Sequence, residues 1–79
     1  MLKDKNEKFI VLFETTTSAM ALEKFAKLAK SKGRLIPTPT SIRAGCGFAW
    51  CSELEEQDLI TKVISDNNLS FEKYIIINI

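Results

Sequence analysis

Cys46 is the residue in this 79-residue chain whose type and setting best suit chemistry. It stands between Gly45 and Gly47, and the thiolate form of cysteine is a strong nucleophile. Glycine has no side chain, so a large partner could approach the sulfur closely. A Gly-Cys-Gly triplet is equally typical of a tight turn that needs small residues. The residue types alone therefore leave two alternatives, a presented thiol and a cysteine that only fits a turn.

Metal and disulfide chemistry are disfavoured by the cysteine and histidine content. The chain has no histidine, and its two cysteines do not form a C-x-x-C motif, so we expect no metal and no cofactor. Cys46 leads directly into the predicted strand that Cys51 ends, and this extended path separates their Cα atoms by about 16 Å, too far for a disulfide. We expect Cys51 to be a small hydrophobic residue beneath a helix.

The charge and hydropathy pattern limits the partners. Eleven basic and ten acidic residues give a net charge of +1, so no overall field attracts nucleic acid or an anionic membrane, and we expect neither as a partner. The apolar runs are too short to span a bilayer, and the polar start does not resemble a signal peptide. We expect a single cytoplasmic domain over residues 1–79, with residues 1–8 as a polar, mobile leader.

The hydrophobic pattern predicts four strands and two helices in the order β-α-β-β-α-β. We expect strands at residues 9–13, 34–37, 47–51 and 74–79, and a first helix at 16–31 that Gly33 ends. Ser52 and Glu55 form a predicted capping box for the second helix, which stops at Asp66-Asn67-Asn68. This order predicts an α+β, ferredoxin-like two-layer sandwich, with an antiparallel sheet of order 4-1-3-2 and both helices on one face.

This topology places Cys46 beside the start of the first helix, near Thr15 and Thr16. Strand three runs antiparallel to strand one, so it begins at the edge of the sheet where strand one ends. The positive end of a helix dipole stabilises a thiolate, and we expect it to lower the pKa of Cys46. Arg43, on the same loop, would add to this effect.

Both faces of the predicted sheet are apolar, although helices cover only one. Pro37 lacks the N–H that a central strand needs, so strand two is placed at an edge. Strand alternation separates Ala49 and Cys51 from Phe48 and Trp50, which we expect to be core or dimer contacts. A second copy of so small a chain is the simplest cover for the helix-free face, and we expect a homodimer through it.

Three segments resemble a known family of small bacterial domains. They are "FIVLFETTTSAM" at residues 9–20, "LEKF" at 22–25, and "RLIPTPTSIRAGCGFAW" at 34–50. With an Ile-Pro-x-Pro segment ahead of a Cys-Gly pair, they resemble the selenium/sulfur carrier protein-like family over about Lys8 to Asp66. Two positions depart from its pattern: Thr15 stands where members often have Ser, and Trp50 is bulkier than expected.

The resemblance implies that Cys46 holds sulfur or selenium as a persulfide-type adduct. A donor enzyme would supply the atom and an acceptor protein would receive it, while Pro37, Pro39 and Gly47 shape the loop that holds the thiol. The absence of histidine favours a carrier or accessory protein over a self-sufficient enzyme. The alternative is a non-catalytic ferredoxin-like binding or assembly module in which Cys46 is a small turn residue.

Overall fold

The fold comes from a computed structural model, which describes residues 7–39, 42 and 46–78. The elements in chain order are β1 (Glu7–Leu12), α1 (Thr16–Leu28), β2 (Arg34–Pro37), β3 (Phe48–Glu53), a short 3-10 helix (Leu54–Glu56), α2 (Gln57–Asp66) and β4 (Lys73–Asn78). Glu7 and Lys8, which we expected in a mobile leader, belong to β1. The rest of that leader, residues 1–6, lies outside the described residues.

The strands form one antiparallel sheet of order β2-β3-β1-β4, which is the predicted strand order. The central pair aligns Val11 with Trp50 and Leu12 with Ala49. On the other side of β1, Val11 is opposite Tyr74. The architecture is α+β with two helices and is broadly consistent with the ferredoxin-like prediction.

One face of the sheet carries the main core, and both helices pack against it. β1 and β3 contribute Phe9, Val11 and Trp50, which lie with buried residues from each helix: Ala19, Leu22 and Ala26 of α1, and Ile60, Val63 and Ile64 of α2. These helix positions recur every three or four residues, which is the spacing of one helical face. Burial of this face is the main favourable term available to so short a chain.

The predicted position of Cys51 beneath a helix was wrong, whereas the expectation of Trp50 as a core residue is confirmed. Trp50 belongs to the core under the helices and is fully buried, whereas Cys51 packs with Ala49 on the helix-free face. α1 brings the small residues Ala19 and Ala26 to this core, which leaves room for the large indole. The bulky residue of β3 therefore lies beneath the helices, and the small ones lie on the opposite face.

The helix-free face has a second, smaller core. Ile10, Leu12 and Ala49 are fully buried there, with Ile36, Ile75 and Ile77 packed around them. Ile42, from the loop before β3, also packs against this cluster, and its N–H donates to the carbonyl of Pro39 at 2.9 Å. The chain therefore covers part of this face itself, and the predicted homodimer through it stays a prediction.

Gly33 does not end α1 as predicted. Lys30 takes the left-handed conformation that ends the helix, with a φ of 66°, and the N–H of Ser31 donates to the carbonyl of Ala26 at 2.9 Å. This is a Schellman end with lysine at the position that usually holds glycine. Gly33 instead lies against β3, where a Cβ atom would be 2.7 Å from the carbonyl oxygen of Cys51.

The predicted capping box was also wrong. Ser52 lies inside β3, opposite Phe9, and is only 3% exposed. The 3-10 helix separates β3 from α2, which begins at Gln57 with no side-chain cap. The C-terminal end of α2 agrees with the predicted stop at residues 66–68. Asn68 has a φ of 53°, and the N–H of Leu69 donates to the carbonyl of Ile64 at 3.0 Å.

Gly33→Ala should destabilise the fold. Its Cβ would lie 2.7 Å from the Trp50 ring and 2.8 Å from the Ser52 Cβ as well as against the Cys51 carbonyl, and these buried groups have no room to yield. We expect a loss of about 1–3 kcal/mol in the free energy of unfolding, measured by urea denaturation. Gly47→Ala is the matched control, because nothing lies within 4 Å of its added Cβ and only the strain of its positive φ remains. Equal stability of Gly33→Ala and wild type would contradict the contact.

Lys30→Gly should stabilise the fold. Glycine adopts a positive φ without the steric cost that a lysine pays, so we expect a gain of about 0.5–1 kcal/mol in the same denaturation assay. Lys30→Ala removes the same charge but keeps the Cβ atom, and it should give no comparable gain. A loss of stability in Lys30→Gly would show that the left-handed end of α1 is wrong.

Candidate functional site

Cys46 lies at the edge of the sheet where β1 ends and α1 begins. The pairing of Leu12 with Ala49 brings the first residues of β3 beside the end of β1, and α1 starts at Thr16, shortly after that end. Cys46 precedes β3 by two residues, in a turn, and it is half-buried. The structure therefore places the thiol and the start of α1 at the same edge of the sheet.

The sulfur of Cys46 contacts the backbone of Phe48. The thiol donates to the Phe48 carbonyl oxygen at 3.3 Å, and the Phe48 N–H donates to the sulfur at 3.4 Å. When the thiol loses its proton, the first of these bonds is lost, whereas the second becomes a charge-assisted bond to a thiolate. The turn thus gives a negatively charged sulfur one backbone donor.

Thr15 and Thr16 form the start of α1. Thr15 is the N-cap residue, and its Oγ1 accepts a hydrogen bond from the Ser18 N–H at 3.1 Å. The same hydroxyl donates to the Ser18 Oγ at 2.9 Å, so both of its functions serve the helix end. Neither threonine makes a hydrogen bond to Cys46 among the residues that the structure describes.

The proline-containing segment is joined to the Cys46 turn by a backbone hydrogen bond. Pro37 ends β2 opposite Phe48, and the N–H of Thr38 donates to the carbonyl of Gly47 at 2.9 Å. Gly47 has a φ of 80°, a conformation that favours glycine. The carbonyl oxygen of Pro39 accepts the Ile42 hydrogen bond described above. Two other predicted site residues, Arg43 and Gly45, lie outside the described residues.

Exposed aromatic rings lie at the same edge of the sheet. Phe48 is 43% exposed, and it directly follows the Cys46 turn. Phe71 is 39% exposed and stacks on Tyr74, with ring centroids 4.3 Å apart. It reaches this edge because the neighbouring Glu72 donates its N–H to the carbonyl of Leu12. The residue types in "IRAGCGFAW" did not indicate an exposed Phe71 at this end of the sheet, because Phe71 comes from a distant segment of the chain.

Cys51 occupies the other end of β3. It is a half-buried free thiol on the helix-free face, where it lines an open cleft with Arg34 and Lys8. The expectation that it lies beneath a helix was wrong, because β3 turns Trp50 and not Cys51 toward the helices. Burial raises the pKa of the Cys51 thiol, and the positive charges of Lys8 and Arg34 offset part of this effect. Strand alternation could have found its face only once Trp50 had been assigned to the core.

Acidic residues at the end of β3 and in the 3-10 helix that follows it make structural contacts. Glu53 forms an ion pair with Lys8, with a nitrogen–oxygen distance of 2.8 Å. The Glu56 carboxylate accepts hydrogen bonds from the Ser31 hydroxyl at 2.6 Å and from the Lys32 N–H at 3.0 Å, which joins the end of α1 to the start of α2. No cluster of metal-ligating side chains occurs in the described ranges.

The alkylation rate of Cys51 should depend on pH differently in the folded and the unfolded chain, because the thiolate is the form that is alkylated. In a Cys46→Ser protein, the rate of Cys51 alkylation by iodoacetamide should rise at a higher pH in the folded chain than in urea, since burial disfavours the charged form. The pH profile of the rate, followed by intact mass, measures this shift. A folded-state midpoint equal to or below the unfolded one would contradict the burial of Cys51.

No helix within the described part of the chain is long and apolar enough to cross a membrane. A family model described as "Putative Se/S carrier protein-like" matches residues 8–76, which confirms the resemblance drawn from the sequence and extends it to β4. None of the curated proteins and none of the solved structures compared with the chain matches it.

Proposed function

The chain belongs to the Putative Se/S carrier protein-like family, and from that premise we propose that it carries sulfur or selenium on Cys46 as a persulfide-type adduct. The observation that supports this most is the position of Cys46, a half-buried free thiol in a turn that lies outside the sheet. A carrier thiol must be reached first by a donor enzyme and then by an acceptor, so it needs an accessible position more than it needs a pocket.

The proposed loading step is a transfer between two thiols. The Cys46 thiolate attacks the terminal sulfur of a persulfide on the donor enzyme, and a new sulfur–sulfur bond forms as the old one breaks. The donor's cysteine leaves as a thiolate and takes up the proton that Cys46 lost. No external oxidant or reductant is consumed, because the transferred sulfur keeps its oxidation state. Delivery to the acceptor follows the same chemistry in the other direction.

The surroundings of Cys46 suit this exchange. The Phe48 N–H contacts the sulfur, and the start of α1, with Thr15 and Thr16, lies at the same end of the sheet. Gly47 gives the turn its positive φ, and Pro37 constrains the neighbouring strand end. We assign Pro39, Gly45 and Arg43 supporting roles in the same loop on the basis of sequence.

A carrier role implies partner proteins and a cellular location for this chain. We infer the ferredoxin-like βαββαβ arrangement, a donor enzyme and an acceptor protein as partners, and a cytoplasmic location, since a carrier thiol requires reducing conditions. The exposed ring of Phe48, next to the thiol, is a contact surface for such partners. A homodimer through the helix-free face would add cover to the half-buried Ile75 and Ile77.

The competing proposal is a binding or assembly module in which Cys46 only fits the turn. The two backbone contacts between the sulfur and Phe48 favour it, because a small side chain that bonds its own turn needs no further role. Trp50 cannot provide the binding surface for such a module, since it is fully buried. Phe48 and Phe71 are the exposed aromatic residues that could.

The test is sulfur loading by a cysteine desulfurase. The chain is incubated with the desulfurase and free cysteine, and intact mass spectrometry records whether it gains the mass of one sulfur atom. We expect the gain in wild type and its loss in Cys46→Ser, because the proposal assigns loading to the turn thiol and burial raises the pKa of the Cys51 thiol. Cys51→Ser is the matched control, and it should load as wild type does.

Two outcomes would overturn the carrier proposal. One is a wild-type chain that gains no sulfur while the desulfurase is active on a known acceptor. The other is equal loading of Cys46→Ser and wild type. Circular dichroism of each variant shows whether a variant that fails to load is still folded.

A further inference from the structure

β4 forms one edge of the sheet, and within the described residues no strand lies on its outer side. Its sequence places three consecutive isoleucines, Ile75, Ile76 and Ile77, between Tyr74 and Asn78. Ile76 is 49% exposed, although isoleucine is among the residue types most often buried. An apolar edge strand without proline is the kind of strand that pairs with another chain.

The backbone hydrogen bonds of the sheet determine which groups of β4 point outward. In an antiparallel ladder, the N–H and C=O groups of every second residue point to the same neighbouring strand. The Thr38 N–H donates to the carbonyl of Gly47, so the odd-numbered residues of β3 point to β2 and the even-numbered ones to β1. The partners of the latter in β1 are odd-numbered, which leaves the even-numbered residues of β1 for β4. The carbonyl of Leu12 agrees with this, because it accepts the Glu72 N–H.

The same alternation continues into β4. Ile75 and Ile77 are opposite even-numbered residues of β1, so their backbone groups are bonded to that strand. The N–H and C=O groups of Tyr74, Ile76 and Asn78 therefore point to the free edge. A row of donors and acceptors at this spacing is completed by the backbone of an added strand.

The opposite edge of the sheet is protected against such pairing. In β2 the alternation turns the backbone groups of Leu35 and Pro37 outward, and Pro37 has no N–H. β2 also has only four residues and begins with the exposed Arg34. Short length, proline and charge are the features by which natural sheets prevent edge pairing. The open edge of this sheet is therefore the one formed by β4.

We propose that β4 pairs antiparallel with β4 of a second copy of this chain, about a two-fold axis that passes through the sheet at Ile76. Ile76 is then opposite Ile76 of the second copy, Ile75 is opposite Ile77, and Tyr74 is opposite Asn78. The outward-pointing residues form the pairs that exchange backbone hydrogen bonds, which gives about six such bonds. Each isoleucine of β4 is opposite another isoleucine, so the strand is complementary to itself.

The charges of β4 do not oppose this pairing. Lys73 is its only charged residue, and it stands at the first position. The two Lys73 side chains of the dimer lie about 20 Å apart along the strands, well beyond the screening length of about 8 Å at physiological ionic strength. The two-fold axis is perpendicular to the sheet, so both copies place their helices on the same face of one continuous sheet.

This dimer differs from the homodimer through the helix-free face, which would leave the β4 edge unpaired. It is also independent of the carrier proposal, because the β4 edge contains neither cysteine. Its formation requires only the backbone groups and isoleucines of β4.

Sedimentation velocity over a concentration series, with a reducing agent present to exclude disulfides, measures the dimer. We expect wild type to shift from monomer to dimer as its concentration rises. Ile76→Lys should raise the dissociation constant about tenfold or more, because it places two like charges opposite each other at the axis. Leu28→Lys is the matched control, since it introduces the same charge at an apolar residue of α1 that is 70% exposed, and it should dimerise as wild type does.

Amide hydrogen exchange, followed residue by residue by NMR, tests the geometry. The amides of Tyr74, Ile76 and Asn78 should exchange more slowly as the concentration of wild type rises, because the second copy then binds them. The amides of Ile75 and Ile77 should be protected at every concentration, since they bond to β1. Their protection in Ile76→Lys also shows that β4 of this variant still belongs to the sheet.

Three outcomes would overturn the proposal. The first is a wild-type chain that stays monomeric throughout the series. The second is a dimer whose edge amides exchange as fast as those of the monomer, which would indicate pairing through the sheet face. The third is equal weakening by Leu28→Lys and Ile76→Lys, which would indicate only overall charge. None of these outcomes bears on sulfur loading, so failure of this proposal is distinct from failure of the carrier proposal.

Discussion

The burial of Trp50 beneath the two helices is the constraint on which the rest of the sheet depends. Strand residues alternate between faces, so the position of Trp50 on the helix side determines which face each remaining residue of β3 occupies. It also requires the close approach of Gly33, because a side chain there would occupy the space of the indole. Moving the Trp50 indole out of the core would cost a large part of the free energy of unfolding, since it is among the largest fully buried side chains.

The sequence predicted the parts of the fold that depend on periodicity. Apolar runs and helical spacing identified every strand and both helices, and Pro37 correctly placed β2 at an edge. The errors arose where tertiary contacts outweigh local preference. Ser52 has the sequence context of a helix cap, but its position opposite Phe9 extends β3 through it. Lys30 ends α1 although glycine is three residues away, because Gly33 is required against β3.

The candidate site was predictable to a similar degree. Topology alone brings the start of β3 and the start of α1 to one edge, so the neighbourhood of Cys46 follows from the order of elements. The hydrogen bonds to Phe48 do not, because they depend on the exact geometry of the turn around Gly47. The cleft beside Cys51 was missed for a different reason, since its cations come from β1, β2 and the loop before β2.

The loop before β3 contacts both faces of the sheet within a few residues. Ile42 packs against the small core on the helix-free face, whereas Cys46 packs against the helix-side core. A movement that released Ile42 together with Cys46 would transfer the Ile42 side chain to water. Burial of Ile42 opposes such a release by about 1.5–3 kcal/mol at most. A protein that drew the thiol into its own active site would have to supply that free energy from its own contacts.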